Sequence, residues 1–369
     1  MGYSKLSLGL LGVLVSHLAP AAAQNFTSDP SRFKIFELLE AESGPCDLCT
    51  GPDDAIWAQN ILTDTIARID PQTGTVEEYP IPYDTPAPTS ILNLVDGDTL
   101  APGLGNRSAL ACAIHTGSDG NIYAAGGLRN QLVKIVPSTR EITVLGPNPP
   151  NELGDLLFFN DMWTGPNGMF FSQTTANKVT YYHYDTGVFQ DFTPPTPASG
   201  PLGMRIYSGD GNLWFTEFFG NKIAKLDFRS GEITEYPLPL PEMGPSVLRV
   251  EEGEFLWFVI TLGNGLGRIN TNTGKIDLYF SPKPLELPAE DDADRDGNIF
   301  FSAFLSDTIN YYVPQSQEFG TITIPDGVVV AQALPPDVPI AMHYYNTTNT
   351  MWFALVARNQ VGYYVLDPA

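Results

Sequence analysis

Between Gly211 and Pro239 the chain alternates apolar and polar residues in three short runs, LWFTE, KIAKLD and EITEYPL, parted by turn residues. A period of two over four to eight residues is the signature of half-buried β-strands. Three strands cannot cover their own apolar faces, so the cover must come from elsewhere in the chain. It comes from repetition. The first of these runs, the second strand of its unit, recurs as aromatic anchors at Trp57, Tyr123, Phe170, Trp214, Trp257, Phe300 and Trp352, spaced by 66, 47, 44, 43, 43 and 52 residues. A period in the forties with about four strands per unit predicts the blades of a β-propeller. Six anchors are followed by a third and a fourth strand, whereas the seventh unit stops at VLDPA without a fourth. RFKIFELLE (32–40), ahead of the first unit, is the strand without another home. Pairing it with the last unit closes the ring and removes exposed sheet edges. The predicted class is all-β, a seven-bladed propeller of four-stranded blades closed by its N-terminal strand.

The first 23 residues carry one basic residue, Lys5, an apolar run and a small-residue end at Ala21, Ala22 and Ala23. That pattern predicts a secretory signal over 1–23 and a single propeller domain over 24–369. Sequons at Asn25, Asn106 and Asn346 fit a secreted or secretory-lumen glycoprotein. Lys5 is the only charged residue of the signal, so its removal takes the formal net charge from −23 to −24. So acidic a surface repels phosphate backbones and anionic bilayers, which excludes nucleic acid and membrane as expected partners; a monomer is expected. Cys46, Cys49 and Cys112 are an odd set in an oxidising compartment, predicting one bridge and one free thiol. Cys46 and Cys112 take equivalent positions in neighbouring units and form the expected pair, with Cys49 as competitor.

GPLGMRIYSGDGNLWFTEFFGNKIAKLDFRSGEITEYPLP (200–239) resembles a blade of the streptogramin B (virginiamycin B) lyase family. The likeness extends to 44–82 and 244–284. It implies a seven-bladed propeller, and a catalytic His after the Pro of one inner segment, acting with a Glu and a magnesium ion in an elimination that opens an ester. The residues after the corresponding prolines here are Cys46, Leu202, Ser246, Ala289 and Ile340, none of them a base like imidazole. The Glu of the Trp-Phe-Thr-Glu segment survives only as Glu217. The chain also resembles secreted fungal propeller cyclases, including hetero-Diels–Alder cyclases.

Propeller ligands bind where the inner segments converge on the central channel. Polar residues reaching that zone are Asp47, His115, Asn160, Asp161, Arg205, Arg249, Glu290, Asp291, Asp292 and His343. Counting back from the anchors places Asp161, Arg205, Asp291 and His343 at one register. The catalytic candidates are Arg205, Arg249, Asp161 and His343, with Asp47, His115, Asn160, Trp163, Tyr207, Asp291 and Tyr344 as substrate-binding candidates. Asp292, Asp294 and Asp296 match the first half of a calcium loop, but Ala303 stands where the bidentate Glu belongs. Calcium is a structural option only. The long insertion at 82–110, with its apolar SILNLV, is placed as a lid or a pinned loop over one face. No phosphate-binding loop, nucleophile elbow or metal-ligand His cluster is present in the sequence. The expected activity is cofactor-free cyclisation of a small apolar metabolite in the channel mouth. The alternatives are a metal-dependent C–O lyase or lactonase using Asp47, Asp161, Glu290 and Asp291, and a non-enzymatic secreted binding protein.

Overall fold

Seven four-stranded antiparallel sheets form the protein in its computed structural model, which describes residues 26–83, 111–129, 131–146, 161–325 and 339–366. In each of six blades the strands follow chain order from the channel outward. The seventh takes its outermost strand from the N-terminus: Phe33–Glu37 pairs antiparallel with Gln360–Val365, Phe33 facing Tyr364 and Glu37 facing Gln360. The closing strand read from the sequence is therefore present, and the ring has no free end.

Alternation along each strand sends side chains to both faces of a blade, and the blades bury them against one another. One apolar cluster fills each junction. Phe36, Leu48, Ala341 and Trp352 join the last blade to the first, and Trp214, Ile223, Leu248 and Phe258 join the fourth to the fifth. The anchors sit in these junctions: Trp57, Trp214, Trp257 and Trp352 are at most 1% exposed. Removing one such ring costs about 3–5 kcal/mol. No helix among the described residues is long and apolar enough to cross a membrane.

A repeated asparagine sets the geometry above the channel. Asn177, Asn221, Asn264 and Asn359 lie just ahead of third strands with φ between 54° and 61°, a left-handed conformation that asparagine tolerates. Each side-chain oxygen accepts from a backbone N–H of the segment leading into a following inner strand: Ser199 (2.7 Å), Met243 (2.8 Å), Glu286 (2.8 Å) and Ser43 (2.7 Å). The hooks fix where inner strands begin, and so fix the channel mouth.

Inner strands are bulged near their start. In the fourth blade Pro201 faces Glu217 and Arg205 faces Trp214, so four steps on one strand match three on the other. In the fifth blade Pro245 faces Ile260 and Val250 faces Trp257, five steps against three. Those two extra residues break the regular pairing between Pro245 and Val250, while Ser246 and Val247 still bond to Val259, and they let Arg249 turn into the channel, as bulges re-aim side chains elsewhere.

Candidate functional site

At the end of the channel where the inner strands begin lies a cavity of about 280 Å³. Its walls are apolar: Leu202, Phe218, Leu262, Leu287, Phe304 and Ile340 contribute, several from turns after second strands. Its polar side is built from Asp47, Asp161, Arg249 and Glu290. Four different blades supply these groups, which the topology alone brings together.

Arg249 is the centre of the group. Nη2 donates to Asp161 Oδ1 at 3.0 Å and to Asp47 Oδ1 at 3.3 Å, and Nη1 pairs with Glu290 Oε1. The carboxylates are themselves pinned by backbone donors. Asp47 accepts from the N–H of Leu48 and, on the next blade, of Ile114, both at 2.8 Å. Asp161 repeats the device with Met162 (2.8 Å) and Met204 (3.0 Å), and Asp292 with Ala293 (2.8 Å) and Tyr344 (2.7 Å). Glu290 Oε2 accepts from Met342 N–H at 3.3 Å. Each latch ties one inner strand to the next.

One guanidinium faces several buried acids, and burial pushes the pKa of some of them upward. Burial raises Asp161 above the usual carboxylate range, with Arg249 opposing. Burial, and then the charges of Asp47, Asp161 and Asp291, push Glu290 well above it against the pull of Arg249. Asp291, fully buried with neither oxygen hydrogen-bonded among the described residues, rises well above its ordinary value through burial and the neighbouring Asp292. Arg249 stays protonated: burial works against its charge, and Asp47, Glu290 and Asp161 outweigh it. The cavity thus sets carboxyl groups raised by burial beside a fixed cation in apolar surroundings, and the Arg249 guanidinium is able to hydrogen-bond a developing negative charge on oxygen.

The remaining candidates sit deeper, toward the opposite end of the channel, where inner strands finish. Trp163 lies between the His115 ring, 4.6 Å away, and the Arg205 guanidinium, 4.9 Å away. Burial lowers His115 to about 4, and its Nδ1 lies 2.8 Å from the Thr116 carbonyl. Arg205 donates to the Arg249 carbonyl and, at 3.3 Å, to Glu251, so it braces the bulge and does not line the cavity. His343 Nε2 is 2.7 Å from Thr50 Oγ1, and burial lowers its pKa. The Tyr207 hydroxyl donates to the Gly253 carbonyl and that of Tyr344 to Asn349. Asn160, Asn25, Asn106 and the 84–110 part of the insertion lie outside the described residues. Asn346 is exposed on a hairpin turn.

The single register expected for Asp161, Arg205, Asp291 and His343 is not what forms. The residues facing the anchors are Trp163, Arg205, Asp292 and His343. The first hairpin spans seven residues from Trp163 to Phe170, eight from Asp292 to Phe300, and nine from Arg205 to Trp214 and His343 to Trp352. A constant count therefore slips by two at Asp161 and by one at Asp291. The cavity walls were not anticipated from the sequence, although Phe218-Phe219, Leu262 and Phe304-Leu305 put apolar residues where hairpin turns favour polar ones. Phe219 is 58% exposed and Leu262 55%.

Cys46 and Cys112 form a disulfide with Cα atoms 5.5 Å apart, joining the first two blades, and Cys49 is a buried free thiol. Glu217 is fully buried away from the cavity, raised to about 7 by burial and by the charge of Glu235. The residues present do not fit a resident magnesium ion. Among the described residues no three His, Cys, Asp or Glu side chains are grouped to hold a metal, and the carboxylates that converge do so on Arg249. The calcium motif is spent on its own turn: Asp294 accepts from the N–H groups of Asp296 (3.0 Å) and Asn298 (2.9 Å) and from the Asn298 side chain (2.8 Å).

A profile of the virginiamycin B lyase family matches residues 103–367. Virginiamycin B lyase from Staphylococcus aureus superposes with a TM-score of 0.73 at 21% identity, over 91% of this chain and 99% of that one. A catalytically inactive form of that enzyme with quinupristin gives 0.72 at 23% identity, over 91% and 100%. The WD40 repeats of RRP9 give 0.64 at 8% identity, over 92% and 99%, which marks the propeller shape alone. No curated protein matches the sequence.

Proposed function

Because the chain belongs to the virginiamycin B lyase family, we propose that it is a lyase-type enzyme acting on a small, mainly apolar molecule in the channel cavity. Its reaction on this reading is a cyclisation of the hetero-Diels–Alder type. The observation that carries it is the pairing of apolar walls with the Arg249 guanidinium and the buried carboxyls of Glu290 and Asp161 that hold it. Walls of this kind hold a diene and a heteroatom-containing partner in contact, lowering the entropic part of the barrier. Two σ-bonds form as three π-bonds become one, and no proton is consumed. A hydrogen bond from the Arg249 guanidinium, held in place by Asp161 and Glu290, to a carbonyl or quinone methide oxygen draws electron density toward that oxygen as the bonds form. Neither step uses a nucleotide, redox group or metal. The ester-opening elimination of the family needs an imidazole base, and no His lines this cavity among the described residues. The N-terminal signal, the sequons and the disulfide support secretion.

The test is native mass spectrometry of the secreted protein incubated with an extract of its producing organism, followed by assay of any retained compound for conversion. A retained apolar metabolite, turned over by the wild type and at least tenfold slower by Glu290→Gln, supports the reading. Retention without any turnover makes the protein a carrier and overturns it.

A further inference from the structure

We infer that the Arg249 guanidinium permanently occupies the place a divalent cation would take in this channel, so that the cavity of this chain is closed to metal. The inference concerns binding, and holds whether or not the cavity is catalytic.

Three carboxylates from the first, third and sixth blades point at one spot, and each is already oriented by backbone N–H groups. Carboxylates fixed in that way, without counter-charge, are the ingredients of a calcium or magnesium site. The spot is filled by a side chain of the fifth blade. Nη2 lies 3.0 Å from Asp161 Oδ1 and 3.3 Å from Asp47 Oδ1, so those oxygens stand at most about 6 Å apart. A calcium ion ligated by both oxygens at roughly 2.3–2.6 Å would stand where the guanidinium nitrogen now stands, so it can enter only if the guanidinium leaves. It does not leave. Arg249 sits within the fifth-blade bulge, its carbonyl is held by Arg205, and its charge cannot be titrated away. An arginine also differs from an ion in what it leaves open. It gives a fixed positive charge and directional donors but no vacant coordination position, so a substrate oxygen here meets hydrogen-bond donors and not a Lewis acid.

The test is titration of the purified full chain with Mn²⁺, Mg²⁺ and Ca²⁺, read by calorimetry, Mn²⁺ paramagnetic resonance and melting temperature. The wild type is expected to show no saturable site in the millimolar range and no shift in melting. Arg249→Ala is expected to gain one saturable site per chain and a melting temperature that rises with Ca²⁺, and Asp161→Asn in that background to lose both. One divalent ion bound by the wild type and lost in Asp161→Asn overturns the inference, as does a folded Arg249→Ala that ignores all three ions. Where Arg249→Ala fails to fold in buffer, refolding is compared with and without Ca²⁺: rescue by the ion supports the replacement, and no rescue counts against it.

Discussion

Arg249 on the fifth blade and Asp161 on the third, 88 residues apart in sequence, meet at 3.0 Å across the channel. With Asp47 and Glu290 they form a buried ionic group in which the positive charge is in the minority. Breaking such a group from the cationic side leaves carboxylates with no compensation. Arg249→Met is therefore expected to cost about 3–5 kcal/mol, read from the urea midpoint at unchanged m-value. The loss should shrink between pH 8 and pH 5, where protonation neutralises the stranded acids. An unchanged midpoint at pH 8 would show that the cluster contributes no stability.

Asp161 separates hydrogen bonding from charge. It accepts from Met162 and Met204 while facing Arg249. Asp161→Asn keeps one acceptor oxygen and the side-chain volume, whereas Asp161→Ala abandons two buried N–H groups at about 1–3 kcal/mol each. The Ala variant should be the less stable by at least 2 kcal/mol in parallel urea titrations. Equal losses would mean that charge alone decides.

The ring itself was legible in the sequence because its signal is repeated. Seven anchors and the unmatched strand at 32–40 specify the architecture without reference to any one residue. The channel is where that reasoning reaches its limit. Its side chains come from inner segments that differ between blades, and their aim depends on hairpin lengths of seven to nine residues and on bulges that no apolar pattern encodes. Arg249, Asp161 and Asp47 are legible as residue types, but their convergence follows from the bulge between Pro245 and Val250. Arg205, a catalytic candidate from the sequence, donates to the backbone carbonyl of Arg249.

Ala289 offers a way to block the cavity without touching its charges. It lines the cavity and is 7% exposed. Ala289→Trp places an indole in a space of about 280 Å³ and should reduce retention of any cavity ligand at least tenfold, by native mass spectrometry or calorimetry. Full retention in a folded variant would move the ligand elsewhere on the ring.

The Cys46–Cys112 bridge closes a loop of 66 residues between the first two blades. Chain-entropy arguments put such a closure at about 4 kcal/mol. The paired substitution Cys46→Ala with Cys112→Ala should lower stability by about 2–5 kcal/mol, while Cys49→Ala, a buried thiol outside the bridge, should cost about 1–2 kcal/mol through packing. A thiol titration of the native protein should find no reactive cysteine, because burial raises the Cys49 pKa far above neutrality.

Glu217 gives the fold a pH dependence of defined sign. It is fully buried on the second strand of the fourth blade, near Glu235, and its pKa rises from 4.5 to about 7. Glu235 is the opposite case: despite burial, Lys222 and Thr196 hold it below its ordinary value. Between pH 4.5 and 7 the folded chain keeps the Glu217 proton that the unfolded chain has released. The unfolded state then binds fewer protons, so stability falls as pH rises through that window and levels off above it. The full effect of the shift is at most about 3 kcal/mol. Carboxyl groups held below their ordinary values, Glu235 among them, act only under pH 4.5, whereas His115 and His343, lowered from 6.5 by burial, add a slope of the opposite sign below about pH 6.5. Asp161, Glu290 and Asp291 add a slope of the same sign, so the informative quantity is the difference between the wild type and Glu217→Gln. The variant, with no proton to lose, should gain stability on the wild type as pH is raised from 5 to 8, by about 2–3 kcal/mol in urea unfolding. Parallel curves across that range would mean that Glu217 titrates normally and that its burial is compensated.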